Sequence, residues 1–392
     1  MACRPEKEEI IFKAGFSGFF LESNYSSTLP SNFNWMIDKA IFTEELSKKA
    51  EQLGCLPPEW LEEIHREKWF QLFVPKTLGG LGLSLPEALR LEEKLAKADG
   101  SLGWTITLCA GAGWFVGFME KSLSREVFSD PKVCLAGSGF VGGKANKIGE
   151  FYQISGSWTY ASGALHASHF TANCEIYENG FPVLDKSGKP IVKAFVLEKE
   201  EVEILDGWNY MGMIATGSHA FKVENLSVPE NRCFEILPDK VTLPDPIYRY
   251  PFLQFAEATL AVNILGITGH FQELVEASFG KRQERKAFSS RELSHFEKSL
   301  KKESERIIGL KKEFYKTVNG SWDELDQESR ISSATLKKVS RISRKLTQAC
   351  RLSNAKLYPF AGLEAAKTHT ELNRVWRDFN TVSQHALLIF PF

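Results

Sequence analysis

Residues 211–230, MGMIATGSHAFKVENLSVPE, set a glycine-marked turn ahead of an alternating run through Phe221 and Val223 that stops at a proline. That is the pattern of a loop feeding a strand. Just upstream, 155–169 reads SGSWTYASGALHASH, and around these two segments lie KVCLAGSGF, HFTANCEIYE, PIVKAFVLE and VEILDGW. All are short, β-branched or aromatic, and separated by Gly, Asn, Asp and Pro, which predicts a small β domain over 131–235. The flanks differ in texture. Segments 43–54 (TEELSKKAEQLG) and 58–70 (PEWLEEIHREKWF) carry apolar residues at helical spacing, with Pro58 suited to a first turn and Gly54 to a stop. A helical N-terminal domain is therefore expected over 34–130. Beyond the proline-rich LPDPIYRYP the chain reads as helix again over 236–392, heavily charged at 281–316. The first 33 residues, with SNYSSTLPSNFN, are irregular and read as an extension.

Size and charge narrow the function classes. A chain of 392 residues is expected to form two or three domains. Lys+Arg 48 against Asp+Glu 49 leaves a formal charge of −1, so no global basic field exists to hold a phosphate backbone, and nucleic acid is not an expected partner. Seven widely spread cysteines without a C-x-x-C pair suggest neither a disulfide framework nor a zinc site, and fit a reducing cytoplasm. The N-terminus puts acids where an export signal has bases. Ser101 to Met119 is uncharged, but its glycines at 103, 111, 113 and 117 and the absence of basic flanks favour a buried bundle helix over a membrane span. The 29 Phe, 9 Trp and 9 Tyr imply wide apolar surfaces, inside the protein or around a flat ligand.

Two motifs invite a site and fail a physical test. Gly137, Gly139 and Gly142 spell G-x-G-x-x-G after a strand-like run, yet the chain continues as turn and strand rather than opening a helix, so no dipole faces a pyrophosphate. A glycine-rich segment along a flat ligand, or a plain hairpin loop, are the readings left. His166 and His169 are three apart, which on a strand points them to opposite faces, and no third ligand supports a metal. In the last helical region Arg374, Arg377 and Asp378 read as a capping or salt-bridging set, and His385 as a core histidine, when each is taken alone.

Taken together these segments resemble the acyl-CoA dehydrogenase superfamily, over most of residues 43–390. YMGMIATGSHAFKVENLSVPENRCF is similar to its Gly-Met-Arg-Gly-Thr-Gly-Ser signature, with Ile214 and Ala215 in place of Arg-Gly. ADGSLGW (98–104), WTYASGALHAS (158–168) and RVWRDFNTVSQH (374–385) resemble one branch, the two-component flavin monooxygenases similar to 4-hydroxyphenylacetate hydroxylase and dibenzothiophene monooxygenase. The resemblance implies an all-α N-terminal domain, a central β barrel or sandwich and a C-terminal helical bundle, associating as a homotetramer. It implies reduced FMN or FAD from a separate flavin reductase, and hydroxylation of a small aromatic or amino-bearing substrate with O2. By the same resemblance His385 and Ser162 are catalytic, His385 as base or substrate anchor and Ser162 as partner of flavin N5. Gly137, Ser138, Gly139, Trp158, Tyr160, Ser162 and Gly163 line the flavin, and Trp104 and His166 face the substrate.

Chemistry separates the branches. A dehydrogenase needs a carboxylate to take an α-proton, and most members place a Glu about eight residues past the Arg-Asp pair, where this chain has Ala386 beside His385. Glu257 is the one alternative acid at a comparable helix position. The runner-up is thus an FAD-containing acyl-CoA dehydrogenase with Glu257 as base, and a third possibility is a non-catalytic member. Two departures from the branch stand out: Gly113 where relatives carry a second histidine, and KRQERKAF (281–288) where many dehydrogenases direct Arg and Gln at a neighbouring subunit's FAD pyrophosphate.

Overall fold

The computed structural model describes residues 41–390; the extension read over residues 1–33 lies outside them. Five helices come first: α1 (Glu44–Leu53), α2 (Pro58–Arg66), α3 (Leu85–Ala98), α4 (Gly100–Gly113) and α5 (Lys121–Val127). Their ends follow local chemistry. The Thr43 hydroxyl accepts from Leu46 N to start α1, and Gly54 closes it at φ 68°. Ser84 and Glu87 form a reciprocal cap on α3, and Asp99 ends α3 while its carboxylate accepts from Leu102 N to start α4. The uncharged segment read as a bundle helix is α4 plus a short 3-10 turn, Trp114–Phe118, and 83% of it is buried within the fold.

The β domain holds β1 (Leu135–Ile148), β2 (Phe151–Trp158), β3 (His169–Glu178), β4 (Phe181–Pro182), β5 (Val192–Glu198), β6 (Glu203–Leu205), β7 (Ala220–Pro229) and β8 (Cys233–Phe234). They join one sheet in the order β6-β7-β2-β1-β3-β5-β8, with β4 on β3, and the pair β1–β3 is parallel. The sheet must curl. β7 and β3 are three strand spacings apart, about 14 Å along a flat sheet, yet Phe221 and Phe170 have ring centroids 4.8 Å apart. Tyr152 on β2 meets Phe195 on β5 at 5.1 Å across the same number of spacings. The barrel or sandwich expected from the sequence is therefore a single sheet folded over its own core.

The fold line is β1, and its glycines make the curl possible. A Cβ on Gly143 would lie 2.4 Å from the Trp158 indole, and one on Gly156, its partner in β2, 2.5 Å from Gly143 Cα. Side chains there would fill the space in which Trp158 stacks on Phe221 at 5.0 Å. The strand's register with β3 shifts between Gly137 and Val141 and again before Gly143, as expected of a bulged, bending strand. The G-x-G-x-x-G run is thus strand rather than hairpin loop, and glycine at 142 and 143 is a packing requirement.

Four further helices complete the chain: α6 (Phe252–Arg285), α7 (Ser290–Glu328), α8 (Ser333–Ala361) and α9 (Glu371–Val382). α6 is apolar enough to pass for a membrane span, but 78% of that window is buried, as in a helix packed on all sides. α9 ties the parts together. Arg377 donates to Met211 O at 2.6 Å and pairs with Glu51 of α1, while Asp378 accepts from Met213 N at 2.5 Å. Gly212, between those two residues, lies so close that a Cβ would stand 2.2 Å from the Arg377 carbonyl carbon. Arg374 lies 3.9 Å from Asp99, at the α3–α4 junction, and 3.6 Å from Glu371. The salt-bridging reading thus holds for Arg374 and Arg377, whereas Asp378 takes a backbone N–H instead.

Two predictions follow from this packing. Gly156→Ala overfills the fold line and lowers unfolding free energy by about 1–3 kcal/mol, read by urea titration; unchanged stability would contradict the packing. Asp378 is buried beside Asp99, and desolvation pushes its carboxyl up to about 7. Between about pH 4 and 7 the folded state keeps a proton that the unfolded state has released, so stability falls as pH rises through that window and levels off above it. Asp378→Asn removes this slope, and a wild-type-minus-variant difference that is flat from pH 4.5 to 8 would refute the protonated carboxyl.

Candidate active site

The turn after β2 begins at Tyr160, held at φ 64°, and leads into Ser162 and Gly163. It sits against α4. A Cβ on Gly163 would lie 2.6 Å from Cys109 Sγ and 3.4 Å from Thr105 Cγ2, and the Cys109 thiol donates to Ser162 O at 3.6 Å. Trp104, one position before Thr105, packs edge-on against His385 with centroids 5.9 Å apart. One helix therefore supports both sequence-predicted catalytic residues, Ser162 from the β domain and His385 from the end of the bundle.

His385 follows α9 and caps the short turn Ala386–Leu388, its Nδ1 accepting from Leu387 N at 3.4 Å. That bond places the proton of the neutral ring on Nε2. Burial lowers its pKa from the ordinary value, so the imidazole is neutral and offers an N–H. Of the roles read for it, base or substrate anchor, this geometry suits the anchor.

Ser162 is buried, about 5% exposed, and its hydroxyl lies 2.8 Å from that of Ser218. Ser218 lies 2.7 Å from the Thr216 hydroxyl, which donates to Met213 O at 2.7 Å. Met213, at φ 59°, is the residue whose N–H is held by Asp378. Thr216 and Ser218 were not among the sequence-predicted site residues. The i, i+2 hydroxyls of the Thr-Gly-Ser signature were the available signal.

Beside this turn, Tyr160 and Phe140 are each 60% exposed, the Tyr210 hydroxyl donates to Tyr160 at 3.3 Å, and Tyr210 stacks on Trp208 at 4.1 Å. Gly139 has open space where a side chain would be, and Asn173 donates to Ser138 O at 3.2 Å. The β1–β3 ladder is interrupted from 138 to 140, where Asn173 holds Ser138 O, Phe140 N donates to Ser138 Oγ at 3.1 Å, and Gly139 lies open beside them. An open glycine, exposed aromatic faces and a hydroxyl at the end of a hydrogen-bonded row fit a planar, N–H-bearing ring such as reduced flavin.

Three sequence-based assignments change. Trp158 is fully buried, its indole N–H donating to Asn173 O at 2.9 Å, so it builds the sheet core and does not wall a ligand. His166 Nε2 accepts from Leu56 N at 3.0 Å, which ties the ring to the α1–α2 connection rather than to a substrate; burial there lowers its pKa to about 4. Glu257, the alternative base, is 0% exposed and ion-paired with Arg344 of α8 at 2.5 Å. At Gly113, where relatives carry a second histidine, a Cβ would stand 3.2 Å from Phe70 O and 3.5 Å from Val74 Cγ2, a tight contact that small shifts would relieve.

The sequence matches the acyl-CoA dehydrogenase N-terminal domain over residues 35–117 and the acyl-CoA dehydrogenase C-terminal domain over 258–390. It is 24% identical over 366 residues to an indole-3-acetate monooxygenase of Acinetobacter baumannii, covering 90% of this chain and 91% of that protein. It is 24% identical to the flavin-dependent monooxygenase oxygenase subunit HsaA of Rhodococcus jostii, covering 87% and 90%. A pigment production hydroxylase of Rhodococcus is 30% identical over 230 residues, a match spanning 57% of this chain and 58% of that one. Among solved structures, XiaF from Streptomyces, in complex with FADH2 and glycerol, superposes with a TM-score of 0.78 at 21% identity over 89% of each chain, a likeness of fold. With matching domains on both sides of the curled sheet and relatives spanning nearly the whole length, this chain belongs to the acyl-CoA dehydrogenase superfamily, among relatives that are oxygenase components of flavin-dependent monooxygenases.

Proposed function

We propose that this protein is the oxygenase component of a two-component monooxygenase that takes reduced FMN or FAD from a separate flavin reductase and hydroxylates a small aromatic or amino-bearing substrate. It works in this reading as a cytoplasmic homotetramer. The observation that carries the reading is the pairing of His385 with Trp104 on the helix that also supports Ser162. The dehydrogenase alternative lacks its base, because position 386 is Ala and Glu257 is engaged by Arg344 inside the bundle.

When bound, reduced flavin supplies two electrons and the activation of O2. The protein's residues do the rest. Ser162 would accept from the N–H at flavin N5 and so fix the ring's position. His385 offers its Nε2–H to an oxygen or carboxylate of the substrate, and Trp104, 8% exposed, gives an aromatic edge against which a flat substrate packs. Trp104, Cys109 and Ala110 of α4 are apolar and buried, so water is excluded behind the turn that carries Ser162. With glycine at position 113, polar assistance falls to His385.

The test is to mix the protein anaerobically with reduced FMN or FAD and then rapidly with oxygenated buffer. A flavin absorbance transient distinct from both the reduced and oxidised spectra, outlasting the protein-free control, is expected. Direct return to oxidised flavin at the free rate would sink the proposal. His385→Ala should lower product formation by about tenfold to a hundredfold, the loss of one hydrogen bond to a charged group, while reduced-flavin binding persists, and unchanged product would remove His385 from the reaction.

A further inference from the structure

We propose that Thr216 and Ser218 determine which oxidation state of flavin this protein binds, by fixing the Ser162 hydroxyl as a hydrogen-bond acceptor. The inference rests on the flavin reading of the Ser162 turn, and it follows from counting protons along a row of buried hydroxyls.

The row starts at Met213 O, which can only accept. Trp208 Nε1 donates to it at 2.8 Å and Thr216 Oγ1 lies 2.7 Å from it. An oxygen–oxygen contact of 2.7 Å without a proton between the atoms is repulsive, so the single hydroxyl proton of Thr216 points at Met213 O. Thr216 therefore has only lone pairs to offer Ser218, 2.7 Å away, and the Ser218 proton is committed to Thr216. Ser218 in turn has only lone pairs left for Ser162, 2.8 Å away, and the Ser162 proton is committed to Ser218. Thr216 is 0% exposed and Ser218 4%, which leaves solvent little access to rearrange the row. The carbonyl at its head is held as well. Met213 is in the left-handed conformation, and Asp378 grips its N–H.

Ser162 is thus left with lone pairs alone. Reduced flavin carries a proton on N5 and can donate it to this oxygen. Oxidised flavin has a lone pair there, which would face another lone pair. The row makes the site select the reduced form, and Asp378 of α9 holds the N–H of the residue whose carbonyl polarises it.

The test measures dissociation constants for reduced and oxidised FMN and FAD, the reduced forms anaerobically, for wild type, Thr216→Val, Thr216→Ser and Ser218→Ala. In Thr216→Val the Met213 carbonyl keeps its Trp208 donor, so no buried acceptor is stranded. The Ser218 proton can then turn toward Ser162, and that of Ser162 toward N5. The ratio of oxidised to reduced dissociation constants should fall by about tenfold in Thr216→Val and Ser218→Ala, one hydrogen bond's worth. That equals a shift of about 30 mV in the bound flavin's two-electron potential. Thr216→Ser should retain the wild-type ratio. A wild type that prefers reduced flavin, with the ratio unmoved in both Thr216→Val and Ser218→Ala, would overturn the role of the row while leaving the flavin site standing. A wild type that binds neither form would overturn the site itself and this inference with it. Circular dichroism confirms that each variant is folded, and either substitution suffices if the other does not fold.

Discussion

The structure turns on a buried contact between α9 and the loop that precedes β7. Asp378 grips the N–H of Met213, Arg377 grips the carbonyl of Met211, and Gly212 between them admits the α9 backbone at a distance no other residue would allow. The same helix reaches α1 through Glu51 and the α3–α4 junction through Asp99. Charges placed this deep are costly unless paired or neutralised. Here Arg374 lies near Asp99 and Glu371, while Asp378, close to Asp99 and desolvated, is pushed toward its neutral form. The arrangement contributes less through net stability than through position: it sets the bundle, the first helices and the β domain in one register.

That register is what assembles the site. Ser162 is carried by the turn after β2, Trp104 by α4 and His385 by the end of the bundle, and α9 joins these parts through Asp378 and Arg377. The hydroxyl row from Met213 to Ser162 begins at the residue that Asp378 holds. A perturbation of α9 therefore reaches the candidate flavin contact through four hydrogen bonds. Ile214 and Ala215, which stand where the signature it resembles has Arg-Gly, line a small space beside Asp99, Arg374 and Asp378. With nonpolar residues there, Arg374 and Arg377 are the arginines that face the acids of this corner among the described residues.

Much of the architecture was legible in the chain. The shift from 3.6-residue to 2-residue periodicity near Pro131 and back near Pro251 marks the helical and β regions, and Gly54 and Pro58 mark helix ends. Harder to read was the purpose of individual residues. Trp158 looks like a ligand wall in sequence because it precedes the Ser162 turn, but the curl of the sheet brings Phe221 over its ring and buries it. His166 looks like a substrate contact until Leu56, 110 residues away, is found donating to it. Glu257 keeps its apparent availability as a base until Arg344, on another helix, takes its carboxylate.

The sequence by itself determined which segments are helix and strand, the absence of a dinucleotide fold, and the kinship implied by three separated motifs, because each is encoded in local spacing and cap chemistry. Only the tertiary structure decided that the glycines of β1 are a fold line, that His385 presents an N–H, and that Ser162 is left as an acceptor. Those properties depend on partners far apart in the chain. Which atom holds a proton is set by the group across from it, and no local pattern records that group.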